Sequence, residues 1–156
     1  MAKSKGRDGG GRLTEFKELW KRDPEEHDFP AAAGYLSLIF SPDQVSKLIE
    51  KLQTSSIEHR YAKDILRASG LPLLPPENFH VKSDLEKVKK GVSLSPVLLV
   101  RGDQTSAIPL VIADGYHRIC ASYAISEDEE IPCVIADRPI RTASTTSKRQ
   151  STGQPG

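Results

Sequence analysis

Residues 112–121 read IADGYHRICA and carry the clearest pattern of secondary structure in the chain. The apolar residues that end at Ala113 are typical of a buried strand, and Gly115 then interrupts the pattern. After the glycine, apolar side chains recur at the spacing that puts them on one face of a helix: Ile119, Cys120, Tyr123 and Ala124. These residues predict a strand that runs through a glycine turn directly into a helix.

The start of this predicted helix favours a negatively charged ligand. Unpaired backbone N–H groups and the positive end of the helix dipole both attract anions there. Gly115 permits either a close approach of a ligand to the backbone or a positive φ angle. His117 and Arg118 add cationic donors in a turn where the dipole disfavours cations, and a planar guanidinium suits phosphate oxygens. The same residues also fit a capped structural turn with a surface arginine, so the spacing alone leaves both interpretations open.

Three short apolar runs surround this motif and predict strands. Residues 96–100 (PVLLV) and 109–113 (PLVIA) are joined by turn-forming residues at 102–106, which predicts a β-hairpin. Residues 131–136 (IPCVIA) are apolar and partly β-branched, and they predict a third strand. The second half of the chain is therefore expected to contain a small sheet.

Helix signals dominate the first half of the chain, where residues 13–70 predict helices throughout. The predicted starts are residue 13, Asp28-Phe29-Pro30, a capping box at Ser41 and Gln44, and Ser55 or Ser56. The last of these helices is expected to place Ile57, Tyr61, Ile65 and Leu66 inward and to end at Gly70. A second capping-box pattern at Ser83 predicts a short helix that ends at Gly91. We therefore predict an α+β fold, with a small mixed sheet and helices over 71–137 preceded by a helical layer over 13–70.

The two ends of the chain differ in composition and charge from the part between them. Residues 1–12 and 138–156 are rich in Gly, Ser and Thr, and predict disordered tails around a single domain at 13–137. That domain holds 14 basic and 20 acidic residues, a net charge of −6. A folded nucleic-acid-binding domain usually carries its positive charge on the domain itself. The acidic domain therefore disfavours tight binding to DNA.

Other broad classes are disfavoured by simple counts. No apolar run approaches the ~18 residues that a membrane-spanning helix needs, and the N-terminal residues show no secretory-signal pattern. Cys120 and Cys133 are too few and too far apart for a disulfide scaffold or a zinc site. We therefore expect a cytoplasmic protein without a membrane partner.

Residues 92–137 resemble the core of the ParB/sulfiredoxin superfamily, and the resemblance extends loosely back to Leu71. In that superfamily a strand pair leads into a Gly-x-His-Arg box at a helix start, which residues 115–118 (GYHR) match. Ala121 fits the small residue that follows the box, and Ile131-Pro132 matches the beginning of the closing strand. Members use the box to hold nucleotide phosphates: ATP in sulfiredoxins, CTP in partition proteins and adenine nucleotides in a group of free-amino-acid kinases.

Three features of the chain narrow what this resemblance implies. Sulfiredoxins carry their catalytic cysteine immediately before the His-Arg pair, where this chain has Tyr116, so sulfinic acid reduction is not expected. Partition proteins continue with a helix-turn-helix, whereas only a polar tail follows Asp137, so a complete partition protein is not expected either. Asp114, directly before the glycine, is more similar to the kinase branch.

The resemblance implies that a nucleotide, ATP or CTP with Mg²⁺, binds at the helix start. The residues implied to contact its phosphates are Gly115, Tyr116, His117 and Arg118, with Lys82 or alternatively Lys87 from the preceding helix. Asp114 and His117 are the candidate catalytic residues, and Asp114 either binds Mg²⁺, acts as a general base or only stabilises the turn. We therefore expect a nucleotide-binding protein with phosphoryl transfer or nucleotide hydrolysis as its chemistry. The alternatives are a non-catalytic nucleic-acid-binding or regulatory adaptor module and a ParB-like nuclease.

Overall fold

The computed structural model describes residues 19–139, which fold around one four-stranded mixed sheet. The α-helices in this range are α1 (Asp28–Leu36), α2 (Pro42–Thr54), α3 (Ala62–Ser69), α4 (Phe79–Lys89) and α5 (Tyr116–Ile125). The strands are β1 (Glu58–Tyr61), β2 (Val97–Val100), β3 (Val111–Asp114) and β4 (Glu130–Ala136), and a short 3₁₀-helix spans Gln104–Ser106. The prediction of a small α+β fold with a mixed sheet is confirmed.

The strands lie in the order β1-β4-β2-β3. β2 and β3 form the predicted antiparallel hairpin, and β4 pairs in parallel with β2. Parallel pairing requires a crossover connection, and the crossover contains α5, which lies between β3 and β4 in the chain. β1 pairs antiparallel with β4 and forms one edge of the sheet. The sheet therefore places the end of β3 and the start of α5 close to the central strand β2.

Helices cover both faces of the sheet, and the alternation of side chains along β2 defines two apolar layers. Leu99 belongs to the same buried cluster as Ile65 of α3 and Ile119 of α5, and α4 packs against α5 in this layer. Leu98 faces the other way and belongs to a second cluster with Leu48 of α2. The strand is apolar along its whole length because both of its faces are covered.

The prediction of helices throughout residues 13–70 is wrong where the chain forms β1. We expected a helix to begin at residue 55 or 56, but α3 begins only after β1 ends. Pairing with β4 overrides the local helical pattern, because the sheet offers this segment a partner strand. Tyr61 is consequently 39% exposed rather than inward, whereas Ile65 is buried and Gly70 ends α3 as predicted.

Capping side chains determine where α2 and α4 begin. Ser41 and Gln44 form the predicted capping box at the start of α2. The start predicted for α4 is wrong, because Asn78 rather than Ser83 caps this helix and accepts hydrogen bonds from two backbone N–H groups. The earlier start buries Val81 completely, and asparagine is as good a capping residue as serine. The Ser83 pattern therefore lies inside the helix.

The predicted tails, residues 1–12 and 138–156, lie outside the described residues apart from Arg138 and Pro139. Arg138 contacts the fold, since its guanidinium carbon lies 5.1 Å from the centre of the Phe40 ring. The limits of the predicted domain, 13–137, stay a prediction.

The first predicted helix, which begins at residue 13, also lies mostly outside the described residues. Trp20, near its expected end, forms an isolated β-bridge with Leu94. Among residues 19–139, no helix combines the length and the apolar character needed to cross a membrane.

Candidate functional site

A polar cleft of about 240 Å³ lies between α4 and the start of α5. Its lining residues are His80, Ser83, Asp84 and Lys87 from α4, and Asp114, Gly115, Tyr116, His117 and Arg118 from the end of β3 and the first turn of α5. The structure thus brings together five of the six site residues that the sequence suggested. The sixth, Lys82, is exposed and does not line the cleft, whereas the alternative, Lys87, does.

Gly115 is the N-cap of α5 and has a φ angle of +116°, which side-chain-bearing residues rarely adopt. A Cβ atom at this position would lie 2.8 Å from Cβ of Val97 in β2 and 3.0 Å from Nη2 of Arg118. Tight packing against β2 therefore requires the glycine, in addition to the turn itself. Gly115 has no side chain that could cap the helix, and no other side chain within residues 19–139 caps it. The N–H groups of the first turn are therefore available to a ligand.

Arg118 is largely buried and makes three hydrogen bonds within the protein. Its Nε donates to the carbonyl of Ser95 at 2.8 Å, and its Nη2 donates to the carbonyl of Pro96 at 3.2 Å and to Oδ2 of Asp114 at 2.9 Å. Helical side chains point back toward the N-terminus, so Arg118 reaches Asp114 four residues earlier. We expected the planar fork of Arg118 to face phosphate oxygens, but the protein itself occupies Nε and Nη2. None of the three bonds involves Nη1.

The hydrogen bonds of Arg118 extend into a polar network that reaches α1. The Ser95 hydroxyl donates to the carboxylate of Asp28, which also accepts a hydrogen bond from the backbone N–H of Glu25 at 3.0 Å. Asp28 is only 3% exposed and Ser95 only 6%. We expected Asp28 to cap α1, but its side chain instead bonds a residue far along the chain. No local pattern indicated this contact.

Asp114 is half-buried beside Arg118. Burial raises the pKa of the Asp114 carboxyl, and the neighbouring guanidinium only partly offsets that effect. Because Asp114 is already paired with Arg118, it is less free to bind Mg²⁺ than the sequence suggested. No group of three or more potential ligands among His, Cys, Asp and Glu is arranged around a metal position within residues 19–139.

Four aromatic rings form a row along the cleft and its rim. The ring centres of Phe79 and His80 lie 5.2 Å apart, those of His80 and His117 4.6 Å, and those of His117 and Tyr116 5.5 Å. The Tyr116 hydroxyl donates to the carbonyl of Pro72 at 2.6 Å, which holds this end of the row. Phe79, at the other end, is 77% exposed. An exposed aromatic ring beside a polar cleft provides a stacking surface for a planar ligand.

The pKa of His117 is set by its surroundings in the cleft. Burial lowers the pKa of His117, and repulsion from His80 lowers it further. Asp84 acts in the opposite direction, because its negative charge favours the imidazolium form. His80 lies in the first turn of α4, because Asn78 rather than Ser83 caps this helix.

The remaining charges of the cleft are arranged in opposite pairs. Nζ of Lys87 lies 3.7 Å from Oδ1 of Asp84, and Asp114 pairs with Arg118. The thiol of Cys120 is buried outside the cleft, and burial raises its pKa. Tyr116, which carries no thiol, lines the cleft next to His117.

No protein-family model matches this sequence, and a search of curated proteins finds no match. The resemblance to the ParB/sulfiredoxin superfamily therefore rests on the motif residues alone and stays a prediction. What the cleft can do must be argued from its own chemistry.

Proposed function

We propose that this protein binds a nucleotide, with the phosphate groups in the cleft between α4 and the start of α5. One observation carries the proposal: no side chain within residues 19–139 caps the first turn of α5, which contains His117 and faces Lys87 and His80 of α4 across the cleft. Backbone N–H groups at a helix start combined with a lysine form a common arrangement for binding phosphate.

The phosphate contacts differ from those that the sequence suggested. Lys87 supplies a cationic charge, and the imidazoles of His80 and His117 donate hydrogen bonds to phosphate oxygens. Arg118 acts mainly through its bonds to Ser95, Pro96 and Asp114, which hold the turn before α5 in position. Because Nε and Nη2 bond the protein, Arg118 cannot offer a phosphate two parallel hydrogen bonds from two of its nitrogens, and its three hydrogen bonds leave only Nη1 for such a contact.

The base of the nucleotide is assigned to Phe79 at the rim of the cleft. A cleft of about 240 Å³ accommodates phosphate groups more readily than a whole nucleotide, so the base extends outside it. The exposed ring of Phe79 lies beside His80, which lines the cleft. Stacking a base on an aromatic side chain contributes about 1–3 kcal/mol and tolerates different bases.

Mg²⁺ fits this site as an ion that arrives with the phosphates. Magnesium commonly uses only one or two protein carboxylates, with phosphate oxygens and water as its other ligands. Asp84 is the better-placed carboxylate, because its partner Lys87 lies at 3.7 Å whereas Arg118 bonds Asp114 at 2.9 Å. The ion would neutralise phosphate charge. His117, whose pKa is lowered, is mostly neutral near pH 7 and is therefore able to accept a proton if the site transfers or hydrolyses phosphate.

Calorimetric titration tests this proposal with Mg-ATP, Mg-CTP and tripolyphosphate as ligands. Lys87→Ala is expected to weaken nucleotide binding by about tenfold, which corresponds to ~1.4 kcal/mol. Lys82→Ala is the matched control, because it removes a lysine from the same helix outside the cleft, and it is expected to change nothing. The proposal fails if none of the three ligands binds at millimolar concentration, or if the two lysine variants behave alike.

The same samples decide whether binding leads to chemistry. Release of inorganic phosphate that is lost in His117→Gln would establish a catalytic role for this histidine. Nucleotide binding without phosphate release would instead identify a regulatory binding module.

A further inference from the structure

A second cavity, of about 620 Å³, lies where residues 20–22 meet β1 and the start of β4. It shares no lining residue with the cleft between α4 and the start of α5, which we call the phosphate cleft. Its walls are largely aromatic and apolar, formed by Trp20, Ile57, Tyr61 and Pro132. Cavities of this size and character commonly hold small ligands or side chains of a partner.

Trp20 lines this cavity and has an unsatisfied polar group. The residue is only 9% exposed, and its indole Nε1–H is buried without a hydrogen-bond acceptor within residues 19–139. Buried donors are almost always paired in folded proteins. Because the Nε1 atom is inaccessible, Trp20 offers a ligand in the cavity the apolar surface of its ring.

The rim of the cavity is acidic. Residues 127–130 read EDEE, and the last three of these four acidic residues line the cavity. Nζ of Lys63 donates to Asp128 at 2.8 Å and lies 5.5 Å from the centre of the Tyr61 ring. Asp128 and Tyr61 therefore already bind one ammonium group of the protein itself. Glu129 and Glu130 form no ion pair within residues 19–139.

Basic residues on the opposite side do not cancel this charge. Lys21 also lines the cavity, but its Nζ pairs with Glu25 at 3.1 Å. Within residues 19–139, Arg22 is an exposed lining residue without an ion pair, and it lies opposite two glutamates that also form none. A positively charged ligand is therefore favoured over a nucleotide at this position.

We propose that this cavity binds the side chain of a lysine or arginine carried by an extended peptide of another polypeptide. The aliphatic stem packs against Trp20 and Tyr61, whose rings also attract the cation. The charged head pairs with Glu129 and Glu130, which line the cavity. β1 has only one partner strand within residues 19–139, so its other edge offers further backbone groups to an extended peptide.

Trp20 is the only tryptophan in the chain, so its fluorescence reports directly on this cavity. The full-length protein is titrated with a blocked peptide of alternating valine and lysine, with the same peptide carrying norleucine or glutamate in place of lysine, and with n-butylammonium. The lysine peptide is expected to change the tryptophan emission saturably and to bind about tenfold more tightly than the norleucine peptide. The glutamate peptide is expected to give no response.

Two variants of the acidic run test which glutamates bind the lysine side chain of the peptide. Glu129→Gln combined with Glu130→Gln is expected to weaken binding of the lysine peptide by about tenfold. Glu127→Gln is the matched control, because this residue belongs to the same acidic run but does not line the cavity. Equal binding of the lysine and norleucine peptides would overturn the proposal, as would equal losses in the two variants or an unchanged emission at millimolar peptide. Binding of n-butylammonium as tight as that of the peptide would overturn the assignment of a peptide ligand.

Discussion

Gly115 combines a positive φ angle with close contact to β2, and both features disfavour a residue with a Cβ atom at this position. Gly115→Ala is expected to lower the free energy of unfolding by more than about 2 kcal/mol, because alanine is strained at this φ angle and its methyl group overlaps Val97. Urea denaturation followed by circular dichroism measures the change.

Gly34 provides the matched control for this substitution. It lies inside α1, and a Cβ atom there would meet nothing within 4 Å. Gly34→Ala is therefore expected to raise stability by about 0.5–1 kcal/mol. If both alanine variants shift stability in the same direction, the account of the Gly115 turn is incorrect.

Arg118 is expected to contribute more to stability than to direct ligand contact. Arg118→Met keeps the length of the side chain but leaves Asp114 and two carbonyls without their donor, which is expected to cost about 2–4 kcal/mol in thermal or urea unfolding. Arg67→Met is the control, because Arg67 pairs with Asp64 on an exposed helix face and is expected to contribute less than about 1 kcal/mol. A fully stable Arg118→Met protein would mean that the guanidinium is free for a ligand.

His117 is expected to make the fold less stable as the solution becomes acidic. Because its pKa is lower in the folded protein than the ordinary value of 6.5, the unfolded chain binds more protons in the window between the two values. The free energy of unfolding therefore falls as pH drops from 7 through 6.5 toward the folded-state pKa.

His117→Gln removes this contribution, so the variant is expected to lose less stability than the wild-type protein between pH 7.5 and pH 5. Urea titrations at a series of pH values measure the difference. Parallel curves for wild type and His117→Gln would show that the histidine titrates as in the unfolded chain.

At the level of elements, alanine substitutions at Asn78 and at Ser83 test where α4 begins. Asn78→Ala is expected to cost about 1 kcal/mol, since the Asn78 side chain accepts hydrogen bonds from two N–H groups of the first turn. Ser83→Ala, inside the helix, is expected to be neutral or slightly stabilising. Chemical denaturation of the two variants measures both effects, and a larger loss for Ser83→Ala would support the start predicted from the sequence.

Local patterns predicted most of the elements because capping residues and apolar spacing act within a few residues. The hairpin of β2 and β3, the start of α2 and the helix after Gly115 all follow from such signals. β1 does not, because the strand exists only through its pairing with β4, about 70 residues later in the chain. Elements that depend on a distant partner leave little trace in their own sequence.

The candidate site shows the same division between local and distant determinants. The motif at residues 114–118 located the cleft, because these residues are consecutive and share one turn. Their roles were harder to predict, since Arg118 bonds the carbonyls of Ser95 and Pro96, and Ser95 in turn bonds Asp28. A guanidinium suits carbonyl and carboxylate oxygens of the protein as well as those of a phosphate.

Across the whole molecule, two separate cavities favour ligands of opposite charge. The cleft at the start of α5 offers helix N–H groups, two histidines and Lys87, which suit an anion. The cavity beside β1 offers aromatic walls and two glutamates that form no ion pair within the described residues 19–139, and these groups suit a cation. Because they share no residue, substitutions in one cavity are expected to leave binding in the other unchanged.

The central claim is that nucleotide phosphates bind at the first turn of α5. Amide ¹H–¹⁵N correlation spectra recorded during titration with Mg-ATP test it residue by residue. We expect the largest shifts at the backbone amides of Tyr116 and His117, with smaller ones at His80 and Lys87 and none at Glu129. Largest shifts at residues outside this cleft, or no shifts at millimolar nucleotide, would contradict the account.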